Sequence, residues 1–371
     1  MVLAGGVRVA AQGQQQGPLL NVLAGQGDGT IAVEQFFGDP GMSAAADRIR
    51  VAVGTTINWT IGSDEQHTIT FLAGRPRPAV IVAQPEDPTG RPPLFNGEVF
   101  LPSPPMGPWD GSSYVNSAPI GRGETFAVTF TRADTYPYVC LFHPAMTGMV
   151  EVVPAASSNI TTQAALDQYV ASHYNQAHAS QIRAITERRS APDVADGPAG
   201  SKIWSVRAGT DWRNGHLDIM AFLPGQLTVS QGDTVVWYVD HPAPHTVTFL
   251  APGQPHPDEV IPSLPDGTPL SPAAMGAMMG EPGMPPTGPP DPSMAPRLVF
   301  GPGVLRNAPS LTYDGRGFYN SGFLGDPVLW TAGVPLSNTW ALTFDTPGSF
   351  EYICVLHDSL GMKGTITVLP R

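Results

Sequence analysis

The chain has 371 residues, 41 of them glycine and 41 proline, with 42% hydrophobic and only 13% charged residues. Breakers at that frequency exclude a coiled coil or helical bundle, and the apolar content excludes disorder throughout. A net charge of −12 speaks against a nucleic-acid partner and for docking to a basic patch on another protein, and no apolar run is long enough to span a membrane.

In chain order, Met1 to Gln12 is small and apolar with one arginine, resembling either the tail of a secretory signal or a disordered terminus. Residues 1–18 are assigned to that segment, and the expected location is extracytoplasmic: periplasmic, secreted or cell-surface. A first sandwich is assigned to residues 19–155. It holds a strand pair from Val51 to Trp59 turning at Gly54, then a strand from His67 to Leu72 whose alternation puts His67, Ile69 and Phe71 on one face. The turn Trp109-Asp110-Gly111 and the pair Asn116-Ser117 follow, then Phe126, Val128 and Phe130, and Tyr136, Tyr138 and Cys140, on two alternating strands.

Residues 156–200 are assigned to a helical linker and hinge. Thr161 to Arg189 is the only long stretch without glycine or proline; Leu166, Tyr169, Val170 and Ala177 fall near helical spacing, and Thr161 or Thr162 can cap the start. Asp193 to Ser201 reads as the hinge. His173 and His178 are placed on a solvated helix face.

A second sandwich, residues 201–371, repeats the first. Leu227 to Trp237 with Gly232, His245 to Leu250, Tyr313-Asp314-Gly315 and Asn320-Ser321 recur in the same order. Trp340, Leu342 and Phe344 then Phe350, Tyr352 and Cys354 complete it. An insertion at about 252–309 carries Met275, Met278, Met279, Met284 and Met294, which suit Cu(I) capture, a docking surface or an inert loop. Short alternating strands between Gly/Pro turns describe a β-sandwich, and the repeat describes two.

The chemistry lies at the ends of the cysteine strands. They read Tyr138-Val-Cys140-Leu-Phe-His143-Pro-Ala-Met146-Thr-Gly-Met149 and Tyr352-Ile-Cys354-Val-Leu-His357-Asp-Ser-Leu-Gly-Met362. A thiol, an imidazole and a thioether in one loop, with a second imidazole from an upstream strand, suit copper in an electron-transfer geometry. Alternatively, the two cysteines form a disulfide. A rigid sandwich around the ligands keeps rearrangement small when one electron moves, and the loop histidine is expected to present an edge to solvent.

Both halves resemble cupredoxins, the blue copper proteins. The first loop is similar to amicyanin-like members and the second to plastocyanin-like and halocyanin-like members. The resemblance implies an all-β chain of two tandem Greek-key sandwiches joined by a helical linker, with two type 1 copper ions. It implies His67, Cys140, His143 and Met146 at one site, with Met149 as competitor for the axial place, and His245, Cys354, His357 and Met362 at the other. Thr68 and Thr246 would hydrogen-bond the cysteine sulfurs. His216, His241 and His256 are read as loop residues, with His241 able to crowd the second site.

Multicopper oxidases and copper nitrite reductases share this fold, but the sequence has neither His-x-His pairs nor a histidine next to either cysteine; Val139, Leu141, Ile353 and Val355 flank them. The expectation is therefore a carrier between redox partners, not an enzyme. The alternatives are a copper-buffering protein using the Met-rich loop and a copper-free cell-surface module.

Overall fold

The computed structural model describes residues 17–38, 47–84, 91–173, 192–212, 217–271, 296–326, 330–332 and 334–371. The Met-rich stretch 272–295, most of the N-terminal segment and residues 174–191 of the linker, with Ala177 and His178, lie outside the described residues, as does His216.

The chain is all-β, as two β-sandwiches. In the first half, one sheet runs Asp47–Ala52, Thr147–Val153, Asp134–Val139, Thr70–Phe71 and Val115–Asn116. Its counterpart runs Gln226–Ser230, Lys363–Leu369, Gly348–Ile353, Thr248–Phe249 and Tyr319–Asn320. The first pair in each sheet is parallel and the second antiparallel, so the repeat extends to strand direction. Aromatics on these strands and on the facing strands Thr56–Ser63 and Thr234–Tyr238 fill two separate cores. Trp59, Phe71 and Tyr138 pack in one, with Tyr138 5.3 Å from both other rings. In the other, Tyr352 lies 5.4 Å from Trp237 and 5.2 Å from Phe249. Ring pairs like these each contribute about 0.5–1.5 kcal/mol beyond simple burial.

A single ten-stranded sheet closes both sandwiches. It joins the halves by pairing Ile31–Phe36 antiparallel with Leu217–Leu223, Val33 opposite Leu217, Ala32 opposite Asp218 and Ile31 opposite Ile219. These are equivalent strands: Ala24 pairs with Phe36 in one half and Ala208 with Phe222 in the other. Ala32 and Asp218 are therefore equivalent positions that face each other, and a pseudo-twofold axis passes between them.

A second junction is a five-stranded sheet built from both halves, in the order Val260–Ser263, Arg297–Phe300, Leu94–Phe95, Ile81–Val82, Thr331–Ala332. Phe95 and Phe300 meet there at 4.5 Å. The same apolar cluster takes in Leu141, Phe142 and Leu356 from the two cysteine loops. The halves are thus joined by shared sheets and not by the linker alone.

The linker starts as expected, with residues 163–173 helical. Thr162 Oγ1 accepts from the Ala165 N–H at 3.2 Å, and Leu166 enters the first core. Tyr169 and Val170 pack on Phe37, Val33 and Leu217 at the junction. His173 is not simply solvated: its ring lies 4.8 Å from Tyr169 and 6.4 Å from Phe37. Where the sequence suggested a hinge, Val194–Asp196 forms a short strand on Lys202–Trp212, because the backbone turns back through Pro198–Gly200.

Candidate metal centres

Each site is assembled from two pieces of backbone that the sandwich holds together. His67 is tied by paired bonds to Ile120, at 3.0 and 2.9 Å, and His245 by the same pair to Leu324, at 3.0 and 2.8 Å. Cys140 follows strand Asp134–Val139, and its N–H donates to the Met146 carbonyl at 3.0 Å, folding the loop around His143. Cys354 N–H donates to the Met362 carbonyl at 3.1 Å in the same way. The segment from His67 to Phe71 is buried on both faces. Thr68 and Thr70 are as buried as His67, Ile69 and Phe71, because the threonine hydroxyls find partners: Thr68 Oγ1 accepts from the Leu141 N–H at 2.8 Å and Thr70 Oγ1 donates to Asn116 at 2.9 Å.

In the first site the Nδ1 atoms of His67 and His143 are 3.1 Å apart, with Cys140 Sγ at 3.9 and 3.5 Å from them. In the second, His245 and His357 Nδ1 are 3.0 Å apart, with Cys354 Sγ at 3.7 and 3.4 Å. Within each trio the donor atoms lie within 4.8 Å of one another. Met146 and Met362 are fully buried in the same cores as the cysteines. Met149 is half-buried on strand Thr147–Val153, and its sulfur accepts from Arg48 at 3.4 Å. The cysteines are free, which excludes the disulfide.

The protonation of these groups prepares them for a cation. Burial holds His67 and His357 down at about 3 and pushes His143 and His245 well below the ordinary imidazole range, so all four rings are neutral. Ser63 Oγ donates to the Glu65 carbonyl at 3.3 Å and so accepts the Nε2–H of His67 at 2.7 Å, leaving the His67 Nδ1 lone pair facing the trio. Burial lifts the Cys354 thiol to about 12 and raises that of Cys140. A thiolate is costly there without a positive ion, even with the N–H groups of Thr68 and Thr246 donating to the sulfurs at 3.4 and 3.3 Å. Two neutral imidazoles and a thiol converging in a buried pocket, with a buried methionine in the same loop, fit copper.

Two glycines back the strand histidines. Gly25 and Gly209 sit at register shifts in their strands with φ of +66° and +74°. A Cβ at Gly25 would lie 2.2 Å from His67 Nε2, and one at Gly209 would lie 2.1 Å from His245 Nε2.

His143 and His357 each keep a narrow edge, 8% of the residue, exposed. On His357, Glu65 of the first half reaches Nε2 at 3.4 Å. His241 is a loop residue that crowds the second site, as expected. It is buried with its ring 5.0 Å from His245, and its Nε2 bonds the Ala208 carbonyl at 3.0 Å. His256 lies 3.2 Å from Asp358.

Three carboxylates were missed from the sequence. Glu34 is fully buried with Oε2 3.3 Å from both first-site Nδ1 atoms; Asp218 Oδ1 is 4.0 Å from His241 Nδ1; Glu65 is the third. Burial, followed by mutual repulsion, raises Glu34 well above the usual range and Glu65 to about 8, while burial lifts Asp218 to about 6. The one available signal was Glu34 as the sole acid in the apolar run Ile31 to Phe37.

Residues 32–153 match the sequence model of the copper binding proteins of the plastocyanin/azurin family. No curated protein matches the chain. Among solved structures, an amicyanin from Paracoccus versutus is similar at 15% identity, covering 36% of this chain and 81% of that one with a TM-score of 0.22. A reduced Cu(I) form of a variant amicyanin is similar at 19% identity, covering 40% and 90%, with a TM-score of 0.23. The family match covers the first sandwich, residues 32–153, and the second sandwich repeats its sheet and its His–Cys–His trio.

Proposed function

We propose that the chain is an electron carrier with two type 1 copper centres, held by His67, Cys140, His143 and Met146 and by His245, Cys354, His357 and Met362. It passes single electrons between protein redox partners outside the cytoplasm and turns over no substrate of its own. The observation that carries this reading is the recurrence of one buried His–Cys–His trio in both halves. Bound copper supplies the one-electron couple between Cu(II) and Cu(I). The protein's part is to fix donors so that little moves on electron transfer, and the strand hydrogen bonds and backing glycines do that. Apolar neighbours on both sides of each cysteine support a carrier over an oxidase or a nitrite reductase.

Exchange between the centres is part of the reading. From His67 Nε2 a chain of contacts runs through Ser63 Oγ at 2.7 Å to the Glu65 carbonyl at 3.3 Å, and the Glu65 carboxylate meets His357 Nε2 at 3.4 Å. The net charge of −12 favours encounter with a partner bearing a basic patch.

The test is copper loading of the purified chain with metal analysis, visible spectroscopy and redox titration. The expected result is two tightly held coppers per chain, cysteine-to-copper charge-transfer absorption and reversible one-electron reduction at each. Colourless protein, or phenol oxidation or nitrite reduction at enzymatic rates, would overturn it.

A further inference from the structure

Among the differences between the two centres, one side chain at an equivalent position bears directly on the donor set. Phe36 and Phe222 correspond, since each pairs with the alanine before its backing glycine. Two residues earlier the first half has Glu34 and the second has Met220. Met220 is a fully buried core residue. Glu34 is equally buried, and neither of its carboxylate oxygens has a hydrogen-bond partner.

An orphaned carboxyl in a dry interior costs several kcal/mol, on the order of 2–7 for a neutral group and more when ionised. Its surroundings offer little relief. The acidic groups facing it, Glu65 and Asp218, repel it. Yet Glu34 Oε2 stands 3.3 Å from His67 Nδ1 and 3.3 Å from His143 Nδ1, which are themselves 3.1 Å apart. One carboxylate oxygen and two ring nitrogens thus converge, the oxygen with no hydrogen bond to either ring. A cation among them satisfies all three.

We propose that Glu34 is an oxygen ligand of the first copper centre, added to His67, Cys140 and His143, and that the second centre, with Met220 in its place, has no such ligand. The inference rests on the reading that both trios hold copper. A hard anionic oxygen stabilises Cu(II) over Cu(I) and draws the ion away from a purely trigonal arrangement. The first centre therefore has the lower reduction potential, and its charge-transfer band and copper hyperfine splitting differ from those of the second. Electrons held at both centres settle on the second.

The test uses the full chain with one centre silenced at a time. Cys354→Ala leaves the first centre to be observed, and Cys140→Ala leaves the second. Each is loaded with one equivalent of Cu(II) and followed by absorption, electron paramagnetic resonance and redox titration, with and without Glu34→Gln. The expected outcome is that Glu34→Gln moves the first centre's spectrum towards that of the second and raises its reduction equilibrium constant at least about tenfold, which is 59 mV for one electron. An unchanged spectrum and midpoint would overturn the proposal.

X-ray absorption on the two single-centre chains gives a reading that needs no change at Glu34: one more oxygen or nitrogen neighbour at the first copper than at the second supports it, and equal shells overturn it. If neither single-centre chain shows a cysteine-to-copper band, the copper reading itself has failed, a result distinct from two bands that Glu34 does not influence.

Discussion

Substituting Gly25 by alanine tests how the first site is held from behind. Two costs combine. The backbone at φ +66° lies in the left-handed region, where a side chain costs roughly 1–2 kcal/mol. The new Cβ also arrives 2.2 Å from His67 Nε2 and 2.7 Å from Ser63 Oγ, both in the buried interior, and relieving such overpacking typically costs about 1–3 kcal/mol. Together these predict a loss of about 2–5 kcal/mol, read by chemical denaturation of the metal-free chain. The imidazole must swing away from Cys140 or the strand must shift, so the first centre loses a donor and copper falls from two to one per chain. The second centre is untouched, and Gly209→Ala produces the mirror result, since its Cβ would meet His245 and His241 at 2.1 and 2.4 Å. If Gly25→Ala unfolds at the wild-type denaturant concentration and still retains two coppers with unaltered spectra, the backing role assigned to these glycines is wrong.

Asp218 links pH to stability. Its carboxyl is raised from 3.8 to about 6 in the fold, so the native state binds more protons between those values; stability is full below pH 3.8 and falls as pH rises through 6. Asp218→Asn removes the loss and is expected to stabilise the metal-free chain at pH 7.5 by up to about 3 kcal/mol, with a much smaller gain at pH 4; equal gains at both values in urea unfolding would contradict this. Glu65→Ala breaks the carboxylate contact on His357 Nε2 and is expected to slow electron exchange between the centres after pulse reduction while leaving both coppers bound. Phe95→Ala opens the shared sheet where Phe95 meets Phe300 and Phe100 at 4.5 and 4.8 Å; calorimetry should show a loss of about 3–5 kcal/mol, with the coppers retained.

What could be read from the sequence was whatever the chain writes twice or at short range. Cys140 and His143 sit three apart on one strand end, and their copies at Cys354 and His357 remove the chance reading. The Asn116-Ser117 and Asn320-Ser321 pairs also recurred, and the structure gives the reason. Asn116 Nδ2 braces the Glu98 and Val99 carbonyls and Asn320 Nδ2 those of Pro302 and Gly303, while Ser117 and Ser321 accept from the Ile69 and Val247 N–H groups. Strands Leu19–Asp28 and Lys202–Trp212 were not legible. The first carries Gly25 and Gly27, which interrupt a strand pattern, and its bulge falls at Gly25. Nor could periodicity reveal that Ile31–Phe36 pairs with a strand almost two hundred residues away. Without that pairing Glu34 and Glu65 look like ordinary surface acids.

The pseudo-twofold pairing also explains how one duplicated fold acquires two different centres. Equivalent positions are identified by counting from the strand histidines: Ser63 corresponds to His241, Glu65 to Ala243 and Thr68 to Thr246. The ligand trios and the N–H donors of Thr68 and Thr246 are kept in both halves. The surroundings of the imidazoles are not. The first half places a hydroxyl behind His67 and a carboxylate beside the trio; the second places a ring behind His245 and, at Met220, a thioether. Because the equivalent strands abut at Ala32 and Asp218, the dissimilar surroundings of the two sites meet at the junction, where Glu65 of one half reaches the ligand loop of the other. A difference in potential is useful to a carrier only if the centres communicate, and the contact of Glu65 with His357 is where the two halves meet at a ligand.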